Sequence, residues 1–307
     1  MGTFGDTLRV ETLSFWGSCG INPAEVNQRP MPTLYLVATP IGNLEDVTLR
    51  ALRILREVSL IAAEDTRTTR KLLAQHGIKA RLTSYNEHNK PQKIPYILSA
   101  LEQGDVALVS EAGMPAISDP GVDLVAAAVA AGVSVVAVPG PSAVVTALAV
   151  SGLPTRQFTY VGFLPRRRGE RRLLLSGLAG QPRTIVALES PHRLVASLTD
   201  LLAVLGDRRI AVCRELTKLH EEVFRGRISE ALAHFGEPRG EFTLVIEGAG
   251  DREGAPPDEA AVRAELRRLR QQGLGARRAV DDVALRFGLP RRQAYRLWLQ
   301  ANDEPGQ

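Results

Sequence analysis

Val109-Ser110-Glu111-Ala112-Gly113-Met114-Pro115-Ala116-Ile117-Ser118-Asp119-Pro120-Gly121 is the stretch from which the fold can be read. It follows Asp105-Val106-Ala107-Leu108-Val109, a short apolar run of the kind that forms a buried parallel strand. It leads into Val122-Asp123-Leu124-Val125-Ala126-Ala127-Ala128-Val129, which reads as a helix, with Asp119 as its cap and Pro120 at its first position. The loop thus sits at the carboxyl end of a strand, where open α/β sheets bind ligands. Gly113 and Gly121 let backbone approach a ligand closely, and Pro115 and Pro120 stiffen the path between them. Glu111, Ser110 and Ser118 add polar groups.

Outward from this loop, strand-like apolar runs alternate with helical patterns, which predicts βα units and a largely parallel sheet. Strands are expected at 34–38, 59–63, 82–84, 105–109 and 134–138, with helices such as Thr48–Glu57, Thr66–His76 and Lys90–Gln103 between them. Each strand runs into a polar loop: Thr39-Pro40, Glu64-Asp65, Tyr85-Asn86-Glu87-His88-Asn89, Ser110-Glu111 and Pro139-Gly140. Ser151-Gly152-Leu153-Pro154 breaks the pattern and divides an N-terminal α/β domain (31–150) from a second one (155–248). The second has strands near 159–163, 183–189, 209–214, 221–227 and 242–247. A mixed sheet is expected there, because 209–214 and 221–227 are joined too briefly for a helical crossover.

Gly248 to Asp258 reads as a linker, followed by a basic module (258–303) of three short helices near 259–271, 276–287 and 290–301. Asp282 to Tyr295 has the pattern of a helix-turn-helix, with Gly288 in the turn and Arg291, Arg292 and Arg296 on or near one face. Residues 1–30 carry no clear periodicity, and Met31 directly precedes the first strand; the leader is expected to be disordered, or the true start to be Met31.

Apolar residues make up 44% and charged residues 23%, an ordinary globular composition. Cys19 and Cys213 are the only cysteines, so neither a disulfide framework nor a thiolate metal site is expected, and a reducing cytoplasm fits. No apolar run has the length of a membrane span. Net charge is +4 but unevenly spread. Residues 262–300 hold ten Arg against Glu265, Asp281 and Asp282, and Arg166-Arg167-Arg168-Gly169-Glu170-Arg171-Arg172 is a second cluster. The rest of the chain is acidic. Such concentration points to a polyanion, whose counterions are released as each phosphate is neutralised. No Gly-x-Gly-x-x-Gly follows the first strand and no phosphate-cradling P-loop occurs, which argues against a dinucleotide or nucleoside triphosphate site.

The loop at 109–121 resembles the signature of the RsmI family, ribosomal RNA ribose methylases built on the tetrapyrrole-methylase fold. Five further stretches fit that family in order: Thr39-Pro40-Ile41-Gly42-Asn43-Leu44, Ala63-Glu64-Asp65-Thr66-Arg67, Pro139-Gly140-Pro141-Ser142, Glu189-Ser190-Pro191-His192-Arg193 and Arg214-Glu215-Leu216-Thr217-Lys218. The resemblance covers roughly residues 33–300, and Met114 departs from it where a small polar residue is expected. It implies two α/β domains with a cleft for S-adenosylmethionine (SAM) between them, a small C-terminal helical module, and a homodimer. It also implies methyl transfer to a cytidine 2′-hydroxyl of 16S ribosomal RNA, in the decoding centre of the small ribosomal subunit.

Carried onto this sequence, the family assigns SAM contacts to Pro40, Ala112, Gly113, Met114, Ile117 and Ser142, and in the second domain to Leu188, Gly240 and Glu241. Methyl transfer from a sulfonium is an in-line displacement, and a ribose hydroxyl needs help as its proton leaves. Asp65 and Glu111 are the favoured acids for that role, with His88 and Glu189 behind them; Asp65 could equally cap a helix. Arg67 and Arg193, with Arg166, Arg167, Arg168, Arg171, Arg172, Arg291 and Arg292, are candidate RNA contacts. No metal is expected. Two other classes stay open: a small-molecule C-methylase sharing the fold, which should lack the Arg clusters, and a non-enzymatic nucleic-acid binder, which leaves the five polar loops without a role.

Overall fold

The computed structural model describes residues 32–249, 259–287 and 289–300. The first half alternates β1 (Thr33–Val37), α1 (Leu49–Glu57), β2 (Leu60–Ala63), α2 (Thr66–Gln75), β3 (Leu82–Ser84), α3 (Lys90–Leu101), β4 (Val106–Val109), α4 (Gly121–Ala130) and β5 (Ser134–Val138). The strand order is β3-β2-β4-β1-β5 and every pair is parallel. All five carboxyl ends therefore lie on one edge. β2 and β4 are buried at every position, which accounts for their unbroken apolar sequence. Leu34, Leu60, Ala62, Val106 and Leu108 share a core with Ile97 and Leu101 of α3, Leu124 and Ala128 of α4, and the buried ring of Tyr85.

The second half runs α5 (Ala143–Ser151), β6 (Phe158–Phe163), α6 (Arg168–Leu178), β7 (Thr184–Glu189), α7 (Pro191–Leu205), β8 (Arg209–Arg214), β9 (Glu222–Arg227), α8 (Ile228–His234) and β10 (Phe242–Ile246). Its sheet, in the order β6-β7-β10-β8-β9, is mixed as the short 214–222 connection predicts. β6 and β7 are parallel, and the other three pairs are antiparallel. Side chains alternate across this sheet with period two. Ile185 and Ala187 of β7, Phe242, Leu244 and Ile246 of β10, and Ile210 and Val212 of β8 face a core that includes Leu194, Leu198 and Leu201 of α7. Val186, Val245, Ala211 and Cys213 face the other way, onto Ala147 and Leu148 of α5, and Ile41 joins that cluster. Helix α5 is apolar nearly all round, as a helix laid on a sheet face can be.

The basic module consists of α9 (Glu259–Gln271), α10 (Ala276–Phe287) and α11 (Arg291–Gln300) around its own core of Val262, Leu266, Leu269, Val280, Val283, Leu297 and Trp298. The guanidinium of Arg270 lies 5.0 Å from the Trp298 ring centroid. Among the described residues no helix is long and apolar enough to cross a membrane. The leader 1–30, most of the expected linker and the turn residue Gly288 lie outside the described residues.

The chain forms two compact units that do not follow one another in sequence. One takes Leu49–Glu111 and Asp119–Val138 with the strand ending at Val37; the other takes Ala38–Thr48, Ala112–Ser118 and the chain from Pro139 onward. The segments that leave β1, β4 and β5 thus all belong to the second unit, as does α5, which sequence order places in the first domain. One local expectation is corrected: α4 starts at Gly121 with Pro120 at its cap position and no side-chain cap. Asp119 instead accepts a hydrogen bond from Ser110.

Candidate functional site

The segments leaving β1, β4 and β5 meet. Thr39 and Gly113 exchange backbone hydrogen bonds of 2.9 and 3.0 Å. Gly113 has φ 78°, and a Cβ there would lie 3.6 Å from Ile41 Cγ2 and 3.7 Å from the Pro141 carbonyl oxygen. These contacts bring together the three segments that carry Pro40, Ala112 with Gly113 and Met114, and Ser142. Ser142 occupies the N-cap position of α5, but its side chain makes no cap bond. Farther along the loop, Ala116 and Ser118 have φ of 68° and 67°, a strained conformation for residues with a Cβ and one that concentrates at functional sites. Ser118 is held there by a 2.7 Å hydrogen bond between its Oγ and the Tyr160 hydroxyl. Gly162, at the irregularity in β6, leaves room for that serine. Ile117 is left half exposed at the tip.

The candidate contacts on the second sheet divide into two groups. Leu188 lies on β7 opposite Phe163 of β6, two register positions beyond the Val186 that pairs with Tyr160. Gly240 and Glu241 belong to a polar knot. Glu215 accepts the Glu241 backbone N–H (2.8 Å) and the Lys218 ammonium (2.9 Å), which also reaches the Glu241 carboxylate at 3.0 Å. Gly240 (φ 89°) packs against Glu215 with no space for a side chain. The knot ties back to the β1 loop: the Asn43 N–H donates to Thr217 Oγ1 at 3.0 Å, and Gly42 packs flat against Thr217 and Lys218. Burial would raise the Glu215 carboxyl, but the Glu241 N–H and Lys218 outweigh it and hold it below the usual range. Thr217 and Glu215, both at positive φ, were not candidates from sequence.

Two of the candidate acids have structural partners. Asp65 caps α2, accepting the Arg67 backbone N–H at 2.7 Å and its guanidinium at 2.8 Å. These bonds hold its carboxyl at about 2, so Asp65 is a poor proton acceptor at neutral pH, and Arg67, though exposed, is shared with it. Glu189 is buried, paired with Arg193 at 2.6 Å and hydrogen-bonded to Ser190 and Ser197; it anchors the start of α7 and is closed to substrate. His88 lies exposed on a turn stabilised by Asn86. Glu111 is exposed, and its backbone N–H donates to Glu64 Oε2 at 3.1 Å. Asp119 stands apart. Burial, then the charges of Glu64 and Glu111, push its carboxyl up to about 7 against the Ser110 hydrogen bond. Its protonation changes near neutrality, a property that a reading as helix cap concealed.

The arginine cluster also divides. Arg168, Arg171 and Arg172 converge on Asp200, through Nε contacts of 3.3, 3.0 and 2.9 Å. Asp200 is 1% exposed and Arg171 4%, and Arg171 also donates to the Pro165 carbonyl at 3.2 Å. Arg171 is therefore a buried countercharge rather than an RNA contact, because a carboxylate so deep needs a hydrogen-bonded cation. Arg193 is likewise spent on Glu189, Ser190 and the Leu164 carbonyl. Arg166 and Arg167 are exposed, Arg167 with a surface pairing to Glu170. Arg291 pairs with Asp281 at 2.8 Å on the surface of the helical module, and Arg292 is exposed beside it. Among the described residues no group of three or more His, Cys, Asp or Glu could hold a metal ion.

Residues 33–232 match the family described as Tetrapyrrole (Corrin/Porphyrin) Methylases. The chain is 46% identical over 276 residues to the "Ribosomal RNA small subunit methyltransferase I" of Halalkalibacterium halodurans, covering 87% of this chain and 95% of that protein. It is 53% identical over 221 residues to the protein of that name from Thermotoga maritima, covering 71% and 99%. Among solved structures, it is similar in fold to the cobalamin biosynthetic enzyme cobalt precorrin-4 methyltransferase, with TM-score 0.54, 18% identity, and coverage of 70% of this chain and 94% of that one. It is also similar to the uroporphyrin III C-methyltransferase of Thermus thermophilus, with TM-score 0.51, 24% identity, and coverage of 70% and 97%.

Proposed function

The chain belongs to the ribosomal RNA small subunit methyltransferase I family, within the tetrapyrrole methylases, and from that membership we propose that it transfers a methyl group from SAM to the 2′-hydroxyl of a cytidine of 16S ribosomal RNA in the decoding centre. The observation that carries the reading is identity of 46–53% to ribosomal RNA methyltransferases along nearly their whole length, against 18–24% to the tetrapyrrole enzymes of like fold. The exposed arginines at 166, 167 and 292 favour the same substrate class over a small tetrapyrrole.

The loops fit a donor without phosphate. Gly113, at φ 78°, has no side chain where the loop meets Thr39 and Pro141, and no P-loop occurs in the chain. Pro40, Ala112, Gly113, Met114, Ile117 and Ser142 would hold SAM, joined by Leu188, Gly240 and Glu241 from the second sheet and its loops. SAM supplies an electrophilic methyl on a sulfonium. What the chain must add is alignment of the ribose oxygen and removal of its proton as the new C–O bond forms. We assign the proton to the acids that bound the loop in sequence, Glu111 and Asp119, the second with its carboxyl raised to about 7 by burial and the charges of Glu64 and Glu111. Arg67, Arg166, Arg167, Arg168, Arg172, Arg291 and Arg292 would hold phosphates. The reading places the enzyme in the cytoplasm, where the small subunit is assembled, as a homodimer.

The decisive assay is transfer of tritiated methyl from SAM to small ribosomal subunits lacking the modification. Label in a ribose-methylated cytidine after nuclease digestion is the expected result. Label on a base, or none on subunits but transfer to a tetrapyrrole, would overturn the proposal.

A further inference from the structure

The helical module carries a cavity of about 540 Å³ lined by Ala276, Arg277, Val280, Arg291, Arg292 and Tyr295. Two helices build it with the same spacing. Ala276, Arg277 and Val280 are positions i, i+1 and i+4 of α10, and Arg291, Arg292 and Tyr295 are positions i, i+1 and i+4 of α11. Positions i and i+4 share a helix face and i+1 flanks it, so the walls are set by two helices rather than by a loop. The floor is the buried Val280 beside Ala276, and Tyr295 stands half exposed at the opening. Arg277 and Arg292 are exposed and make no ion pair among the described residues, whereas Arg291 is steadied by Asp281 at 2.8 Å.

An aromatic face, an apolar floor and three guanidiniums match one chemistry closely: a planar base with phosphate on either side. The volume falls in the range of small-ligand sites. Proteins that hold single-stranded nucleic acid combine a stacking side chain with arginines that follow the backbone. A duplex-reading helix presents polar side chains to a groove and has no need of a cavity behind an exposed tyrosine. An acidic protein segment would satisfy the arginines but leave the Tyr295 face and the apolar floor without a partner.

We propose that this cavity takes an unpaired RNA nucleotide, its base against Tyr295 and the flanking phosphates on Arg277 and Arg292. The inference rests on RNA being the substrate, and it specifies that the module grips a looped-out or single-stranded residue rather than a helical groove.

The test uses the full-length protein, with fluorescein-labelled single-stranded oligouridylate and a blunt RNA duplex of equal length as probes. Tyr295→Ala should weaken single-strand binding about tenfold and leave duplex binding unchanged. Tyr295→Phe, which keeps the ring, should bind like the parent, and equal melting temperatures establish that the variants fold. Arg292→Gln should lower the single-strand salt slope by about 0.7. Equal loss on both probes would assign the face to a duplex groove and overturn the proposal, as would no loss on either. Lost subunit methylation with unchanged oligonucleotide binding would point to a ribosomal protein and overturn it too. Methylation of subunits by the unaltered protein reports separately on the enzyme activity, so either reading can fail alone.

Discussion

Thr39 and Gly113 lie 74 positions apart in the chain, yet each donates its backbone N–H to the other's carbonyl, at 2.9 and 3.0 Å. The pairing locks the segment leaving β1 to the segment leaving β4, and Gly113 can sustain it only in the left-handed region, at φ 78°. Valine at 113 keeps the sequence apolar but forces a β-branched residue into that region, its Cβ in contact with Ile41 and the Pro141 carbonyl. Gly113→Val should therefore cut SAM affinity at least tenfold, about 1.4 kcal/mol, measured by titration calorimetry on folded protein. Unchanged affinity would remove this loop from the donor site.

Asp119 gives a pH signature. Its carboxyl is raised to about 7 in the folded protein, so between about 4 and about 7 the folded state binds more proton than the unfolded one. Its contribution to stability is full at low pH and is lost as pH rises through about 7. Asp119→Asn, which cannot ionise, should melt like the parent at pH 4 and above it at pH 8. If Asp119 also accepts the ribose proton, the same variant should lose most of its kcat and the rise of kcat through pH 7. A variant with the parent's pH–rate profile would return that role to another group.

Much of this was open to sequence reading, and the misses share a cause. The central strands β2 and β4 are legible because buried parallel strands are unbroken apolar runs, and the 209–214 and 221–227 pair because no helix fits between them. The insertion of β10 between β7 and β8 is not legible: strand order depends on which faces are covered, and Phe242–Ile246 would be apolar in any central position. The same limit applies to the site. Gly113 could be singled out by its neighbours in sequence, whereas Tyr160, Thr217 and Lys218 reach the loops only through folding. Arg171 was misjudged because its partner Asp200 is 29 residues away, and a run of arginines looks alike whether its members face water or a buried carboxylate.

That buried carboxylate separates stability from binding within one cluster. Asp200→Asn leaves Arg171 charged and buried without its counterion, and should cost about 3–5 kcal/mol in urea unfolding. Arg166→Gln with Arg167→Gln, both exposed, should leave the urea midpoint nearly unchanged. The double variant should flatten the salt dependence of RNA binding by up to about 0.7 per lost single-strand contact, with SAM affinity intact. A salt slope that does not move would mark those two arginines as a solvated face.

The helical module should be separable. Among the described residues its core draws on α9, α10, α11 and Leu289 between the last two, Trp298 included, with Arg270 over the indole ring. Truncation after Gly250 should then leave both sheets folded and SAM binding unchanged. With the donor loops and Asp119 retained, the chemical step should survive, and the loss should fall on capture of the small subunit: a higher KM with kcat nearly preserved. Thermal melting distinguishes the alternative. A large drop in the melting temperature of the remaining chain would show that the three helices support the second sheet, and equal KM with and without them would remove their part in docking.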